Sequence, residues 1–136
     1  MRNSLVERNT KETQIKIELN LDENTGYNIN TPNKFFNHML EQFGAHSGFG
    51  LNINAQSLDA DLHHLVEDVA IALGEAFLKA IGDKKGIARY AQKFIPMDEA
   101  LSLCVIDISG RAFSRVDAEI KEEKISDFET NLLPHF

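Results

Sequence analysis

Apolar and polar residues alternate in three short stretches of the first half of the chain, and this pattern predicts β-strands. Within Thr13–Asn20 three apolar residues alternate with polar ones, which is typical of a strand with one buried face. The residues at 22–26, DENTG, indicate a turn, and a short second strand is predicted at 27–31. The stretch 49–55, FGLNINA, alternates again and predicts a third strand.

A first helix is predicted between the second and third strands. Thr31 is a favourable N-cap residue, and Pro32 suits the first helical position because its fixed φ is already helical. Apolar residues then recur at helical spacing up to about Ser47. The residues predicted to face inward are Phe35, Phe36, Met39, Leu40 and Phe43.

A second, longer helix is predicted to begin after an N-cap at Asp61, to continue to Ile81 and to end at Gly82. Its apolar residues recur every three or four positions, as on a helix that faces a core. They are Val66, Val69, Ala70, Leu73, Phe77 and Ile81. The first half of the chain therefore has the predicted order β-β-α-β-α.

The second half begins in a similar way, with predicted strands at 101–109 and 112–120 and the start of a helix at 129–136. Two short echoes suggest an internal repeat. Glu12 and Glu99 each precede a predicted strand, and His38 in FNHM occupies a position similar to that of His135 in LPHF. We therefore divide one domain into a first half, 1–85, and an incomplete second half, 86–136.

Composition excludes several classes of protein. The chain has 136 residues, 43% of them hydrophobic, which suits one core, and no run of about 18 apolar residues that would cross a membrane. Its net charge is −7 and its basic residues are scattered, which argues against binding to nucleic acid. The single cysteine, Cys104, and the absence of a secretion signal favour the cytoplasm.

The densest group of chemically active residues is HHLVE, His63 to Glu67. On a helix, His63 and His64 each share a face with Glu67, but the two imidazoles point about 100° apart. This arrangement suits two ions, each bound by one imidazole. Neutral imidazole with carboxylate fits manganese, iron or zinc. The same pattern is compatible with histidines that cap the helix or line a polar face.

Other candidates are weaker when each is taken alone. His38 and His46 lie eight residues apart on the first predicted helix, where a lone histidine is usually structural. Arg89 and Arg111 stand beside glycines, and an arginine fork suits phosphate, although most such arginines are solvated or salt-bridged. Glu12 lies at the start of a strand, where a solvated carboxylate is expected.

Taken together, the motifs resemble imidazoleglycerol-phosphate dehydratase, an enzyme family of histidine biosynthesis. The resemblance runs in family order from about residue 8 to the C-terminus. The matching segments are RNTKETQI (8–15), INT (29–31) with FFNHML (35–40), HHLVED (63–68), ALGEA (72–76), GDKKGIARY (82–90), PMDEAL (96–101) and DISGR (107–111).

The resemblance implies an α+β fold of two similar β-β-α-β-α halves with the sheet on one side and the helices on the other. It also implies a large symmetric homo-oligomer with metal sites between subunits. Two manganese ions are expected for each site, and iron and zinc accept the same donors. The implied reaction removes water from imidazole glycerol phosphate, a small phosphorylated imidazole, and gives imidazole acetol phosphate.

The resemblance also implies a role for each matching residue. The implied metal ligands are His38, His63, His64 and Glu67. Glu12 matches a carboxylate near the reacting carbons and is a candidate acid or base. The implied substrate contacts are His46, Arg89 and Arg111, the two arginines at the phosphate.

The chain departs from the family pattern at several positions. Leu62 and Leu65 replace polar neighbours of the histidine pair, and Pro134 lies where the family continues a helix. His135 does not match a family ligand and is left out of the predicted set. The family's second HHxxE motif is absent, so the resemblance predicts a dehydratase with about half of the metal ligands. The alternatives are a non-catalytic metal-binding or assembly module, and a plain α/β domain with surface histidines.

Overall fold

A computed structural model describes residues 1–136 of the chain. The chain forms two compact units. The core unit consists of Met1–Gly82 with Ala118–Phe136, and the hairpin unit consists of Asp83–Asp117. The predicted second half, 86–136, is thus distributed over both units.

The core unit is a four-stranded sheet with two helices packed on one face. Its strands are β1 (Asn3–Asn9), β2 (Thr13–Asn20), β3 (Tyr27–Asn30) and β4 (Gly50–Ser57), and its helices are α1 (Lys34–Ser47) and α2 (Leu62–Ile81). The strand order is β1-β2-β4-β3, and only the β3–β4 pair is parallel, joined by a crossover through α1. This mixed architecture confirms the predicted α+β fold class.

The core lies between the sheet and α2. The inward faces of β2 and β4 meet the α2 residues Leu65, Val66 and Val69, which are fully buried. The outward face of the sheet is polar, because the alternating positions of β2 and β4 carry glutamine, lysine, glutamate and asparagine. Burial of one face and solvation of the other is what the alternation predicted.

Helix α1 differs from its prediction in its start and in its buried face. Its N-cap is Asn33, whose side chain accepts a hydrogen bond from the Phe36 backbone N–H at 2.8 Å, and not Thr31. Met39 and Phe43, predicted to face inward, are both 41% exposed. The buried stripe is narrower because α1 packs mainly on β3, with Phe36, Leu40 and Gly44 inward.

The structure contains four strands that the pattern missed and lacks one that it predicted. β5 (Tyr90–Met97) and β6 (Ala100–Asp107) form an antiparallel hairpin, the only sheet of the hairpin unit. The strands that were not predicted are β1, β5 and two short strands near the C-terminus, Lys124–Ile125 and Phe128–Glu129. The predicted strand at 112–120 is absent: those residues have no partner strand and are exposed, so alternation alone does not produce one.

The C-terminal part of the core unit is short and irregular. It contains β7 (Lys124–Ile125), β8 (Phe128–Glu129) and a 3₁₀ helix, Thr130–His135, in place of the predicted α-helical start. Pro134 lies inside this 3₁₀ helix, where its ring would clash in a continuing α-helix. Similarity between the two halves stays a prediction. None of the helices is both long and apolar enough to span a bilayer.

Candidate functional site

The candidate site is built on the first turn of α2. The Asp61 side chain caps this helix by accepting a hydrogen bond from the His63 backbone N–H at 2.8 Å. Asp59 fixes the preceding turn by accepting from the Asp61 backbone N–H at 3.0 Å. These two carboxylates fix the residue at which the helix begins, and therefore the directions in which His63 and His64 project.

One cluster of donor atoms converges on a single carboxylate oxygen, Glu67 Oε1. The His63 Nε2 atom lies 3.0 Å from it and the His135 Nδ1 atom lies 3.1 Å from it. The two imidazole rings meet edge to face, with their centroids 4.5 Å apart. We call these three residues the Glu67 cluster. Its ligand atoms all lie within 4.8 Å of one another.

The electrostatics of the Glu67 cluster favour a charged carboxylate. Hydrogen bonds from His63 and then His135 lower the pKa of Glu67 below its ordinary value. An ionised carboxylate with two imidazole nitrogens is a donor set typical of divalent transition metals. All three side chains are partly exposed, so an ion from solvent has access to them.

A second cluster involves the other imidazole of the pair. Its three members are Glu12, Asp59 and His64, whose ligand atoms also lie within 4.8 Å of one another. The His64 Nδ1–H donates to Asp59 Oδ2 at 2.6 Å. We call these residues the Glu12 cluster. His63 and His64 therefore belong to different clusters, although their rings are stacked with centroids 5.9 Å apart.

The pKa values of two members of the Glu12 cluster shift in opposite directions. The hydrogen bond to Asp59, with the nearby charge of Glu12, raises the pKa of His64. The pKa of Asp59 is lowered, first by the Asp61 backbone N–H and then by His64. The bond at Nδ1 fixes the imidazole orientation and leaves Nε2 for another partner, as is common for histidines that bind metals.

A buried network joins the strand that follows Glu12 to helix α2. Asp68, which is 7% exposed, accepts a hydrogen bond from the Thr13 hydroxyl at 2.5 Å and another from Arg8 Nε at 2.7 Å. Thr13 follows Glu12 directly, and Asp68 follows Glu67 directly. The network therefore holds the two clusters in a fixed relation to each other.

The remaining predicted site residues lie outside both clusters. His38 and His46 are exposed on α1. Arg89 belongs to the hairpin unit, where its Nε donates to Asp107 at 2.7 Å and its guanidinium lies 4.9 Å from the Tyr90 ring centroid. Asp107 raises the pKa of Arg89 further. Arg111, in the same unit, is exposed.

Two residues of the clusters were absent from the prediction, His135 and Asp59. The echo between FNHM and LPHF was a signal for His135, because it placed this residue at the position of His38 in a repeat. Asp59 gave no comparable signal. It is five residues before His64 and precedes the helix, so no helical periodicity connects the two.

Comparison with known proteins identifies the family to which the chain belongs. The family model described as imidazoleglycerol-phosphate dehydratase matches residues 31–136. A protein of that name from Lacticaseibacillus casei (strain BL23) is 47% identical over 137 residues, covering 100% of this chain and 71% of that protein.

Solved structures give the same result. The crystal structure of imidazoleglycerol-phosphate dehydratase from Staphylococcus aureus subsp. aureus N315 superimposes with a TM-score of 0.85 and 38% identity, covering 98% of this chain and 73% of that one. That of IGPD from Pyrococcus furiosus gives 0.81 and 35%, covering 96% and 69%. The chain therefore belongs to the imidazoleglycerol-phosphate dehydratase family, whose members are hydro-lyases of histidine biosynthesis.

Proposed function

We propose that the chain takes part in the dehydration of imidazole glycerol phosphate to imidazole acetol phosphate, with two divalent cations of the manganese class at its site. The observation that carries the proposal is the separation of the histidine pair: each imidazole has its own carboxylate partner, His63 with Glu67 and His64 with Asp59. This arrangement supports the proposal of two neighbouring cation positions.

The donor chemistry fits such cations. In the Glu67 cluster two imidazole nitrogens approach one ionised oxygen at about the same distance, 3.0 and 3.1 Å. These contacts depend on protons that the imidazoles share with the carboxylate. A cation takes the place of those protons, since the imidazole that binds a metal must present a free lone pair. No thiolate takes part, which favours manganese or iron over a structural zinc site.

Three protein donors are fewer than the six that manganese commonly accepts. The proposal therefore assigns the remaining positions to water, to substrate and to side chains of other copies of the chain in a homo-oligomer. His38 is one such side chain, because it is exposed on α1 and is free to meet a neighbouring copy.

The reaction breaks a carbon–hydrogen bond and a carbon–oxygen bond, and the proton and hydroxyl leave as water. Bound cations would stabilise the anionic form of the substrate's imidazole ring, from which the hydroxyl departs more readily. Glu12 is the proposed acid or base: its carboxylate is exposed and lies beside His64, within reach of a bound imidazole. We assign it the transfer of the proton at the reacting carbon.

The substrate phosphate is assigned to Arg89 and Arg111, with His46 near the substrate. Arg89 Nε donates a hydrogen bond to Asp107 at 2.7 Å, which orients the guanidinium group. The phosphate would either replace Asp107 as the partner of the guanidinium or share the guanidinium with it. Anchoring the phosphate fixes the orientation of the reacting carbons without taking part in the bond changes.

Turnover of imidazole glycerol phosphate by the wild-type chain, with Mn²⁺ and with a chelator, tests the proposal. We expect metal-dependent turnover that Glu12→Gln lowers by about a hundredfold or more, because a positioned acid or base contributes that much. Glu7→Gln, a matched change of an exposed glutamate on β1, serves as the control and leaves turnover unchanged.

Two results would contradict the proposal. Turnover that is equal in Glu12→Gln and wild type would remove the assigned role of Glu12. Tight Mn²⁺ binding with no turnover by the assembled protein would favour the alternative of a non-catalytic metal-binding or assembly module.

A further inference from the structure

Asp127 caps helix α1 from a distant part of the chain. Its carboxylate accepts hydrogen bonds from the backbone N–H groups of Lys34 at 2.7 Å and Phe35 at 3.0 Å. The side-chain amide of Asn33 donates to the Asp127 carbonyl at 2.6 Å. The first N–H groups of a helix have no partner within it, so this carboxylate satisfies two of them and faces the positive end of the helix dipole.

Apolar contacts continue the attachment beyond Asp127. Phe128 is 7% exposed, and its ring centroid lies 5.6 Å from that of Phe35 and 6.1 Å from that of Phe36. Leu132 is also buried in the core. The segment 118–136 is thus attached to α1 through a charged cap and an aromatic cluster.

The same segment carries His135 to the Glu67 cluster. Seven residues lie between Asp127 and His135, and five of them, 130–134, form most of the 3₁₀ helix Thr130–His135. Thr130 secures the turn before it, with its hydroxyl donating to the Glu122 carbonyl at 2.6 Å. Because this connection is short and hydrogen-bonded, the attachment at Asp127 limits where the His135 imidazole can lie.

We propose that Asp127 is a positioning residue for the metal site: by capping α1 it holds His135 beside His63 and Glu67, and so raises the affinity of the Glu67 cluster for a divalent cation. The inference rests on the proposed function, since it takes the Glu67 cluster to bind a cation. The coupling acts in both directions, so a bound cation also holds the segment 118–136 against α1.

The physical basis of the coupling is preorganisation. A ligand on a detached segment must be ordered when the ion binds, and this cost lowers affinity. A residue that orients a metal ligand typically changes affinity by about tenfold to a hundredfold. Asp127 would produce an effect of this size although it does not touch the ion.

Calorimetric titration of the full chain with Mn²⁺ tests the inference through a double-mutant cycle. We expect His135→Gln and Asp127→Ala each to weaken Mn²⁺ binding by about tenfold. The double variant should bind no more weakly than His135→Gln alone, because Asp127 acts only through His135. Asn131→Ala, an exposed change in the same 3₁₀ helix, is the matched control and should bind as wild type does.

Two further measurements separate positioning from a general loss of structure. Asp127→Asn keeps one acceptor oxygen for the α1 N–H groups, so its affinity should lie between those of wild type and Asp127→Ala even if the alanine variant folds poorly. Amide hydrogen exchange should slow in residues 128–135 of the wild type when Mn²⁺ is added. This slowing should be lost in Asp127→Ala.

The outcomes are distinct. Wild-type affinity in Asp127→Ala, or a double variant weaker by the product of the two single losses, would overturn the inference and leave the proposed metal site intact. Mn²⁺ binding that is unaffected by Glu67→Gln would overturn the proposed site itself, and the inference with it.

Discussion

The core unit and the hairpin unit differ in where their apolar side chains lie. Every buried apolar residue belongs to the core unit, whereas the hairpin unit leaves Phe94, Leu101, Leu103 and Val105 between 57% and 69% exposed. Both units have complete strand pairing, with eight paired positions between β5 and β6. Hydrogen-bonded strands can therefore form without a core, but a two-stranded hairpin is marginal by itself, and burial is what separates the two units.

The charged groups of the two units show the same difference. Asp68 in the core unit is 7% exposed and bonded on two sides, by Arg8 and Thr13. Asp107 in the hairpin unit pairs with Arg89, but both side chains are more than 40% exposed. Water competes more with the second pair than with the first, so the first is expected to matter more for stability.

The largest predicted difference between the two units is in the cost of truncating one leucine in each. Leu65→Ala removes a side chain that is fully buried and should lower the free energy of unfolding by about 3 kcal/mol, since a cavity remains. Leu103→Ala should change it by less than about 0.5 kcal/mol. Urea unfolding followed by circular dichroism measures both. Equal losses would mean that the hairpin is packed as tightly as the core.

A smaller effect is predicted for the charged residues. Asp68→Ala leaves Arg8 and Thr13 without their partner and should cost about 2 kcal/mol, less than for a fully buried pair because Arg8 is one-third exposed. Asp107→Ala should leave the unfolding midpoint unchanged within experimental error. A midpoint shift for Asp107→Ala as large as that for Asp68→Ala would contradict the contrast between the units.

The smallest effect on stability, with a clear effect on association, is predicted for one face of the hairpin. Phe94 and Leu103 are paired across the strands and share that face with Leu101 and Val105. Leu103→Lys should reduce concentration-dependent self-association in sedimentation experiments and leave the melting temperature unchanged. Ser102→Lys, on the opposite face, is the matched control. Equal effects of the two lysines would show that charge alone, and not the apolar face, controls association.

Alternation of apolar and polar residues, helical spacing and helix caps were sufficient to predict the elements whose sequences show them. Strand β2 occupies Thr13–Asn20 as predicted, and α2 begins after Asp61 and ends at Ile81 as predicted. β1 was not predicted because it is an edge strand with a single buried residue, Val6, and therefore shows no alternation of apolar and polar positions. β5 was not predicted because apolar and polar residues do not alternate in it and because it contains a proline.

For the candidate site, spacing along a helix was informative and long-range contact was not. The four-residue spacing of His63 and Glu67 placed both on one face of α2, where they are in contact. Family resemblance alone suggested Glu12, which the structure places in a cluster with His64. Contacts of Glu67 with His135 and of Lys34 with Asp127 span 68 and 93 residues, and no local pattern encodes them.

The Glu67 cluster also has an order of assembly imposed by synthesis. Its last member follows Glu67 by 68 residues, which take roughly 3 to 14 seconds to translate. During that interval the nascent core can already bury β2, β4 and α2, because all of them precede residue 83. The second imidazole of the cluster arrives only afterwards, so the growing polypeptide presents an incomplete donor set until residue 135 has been translated.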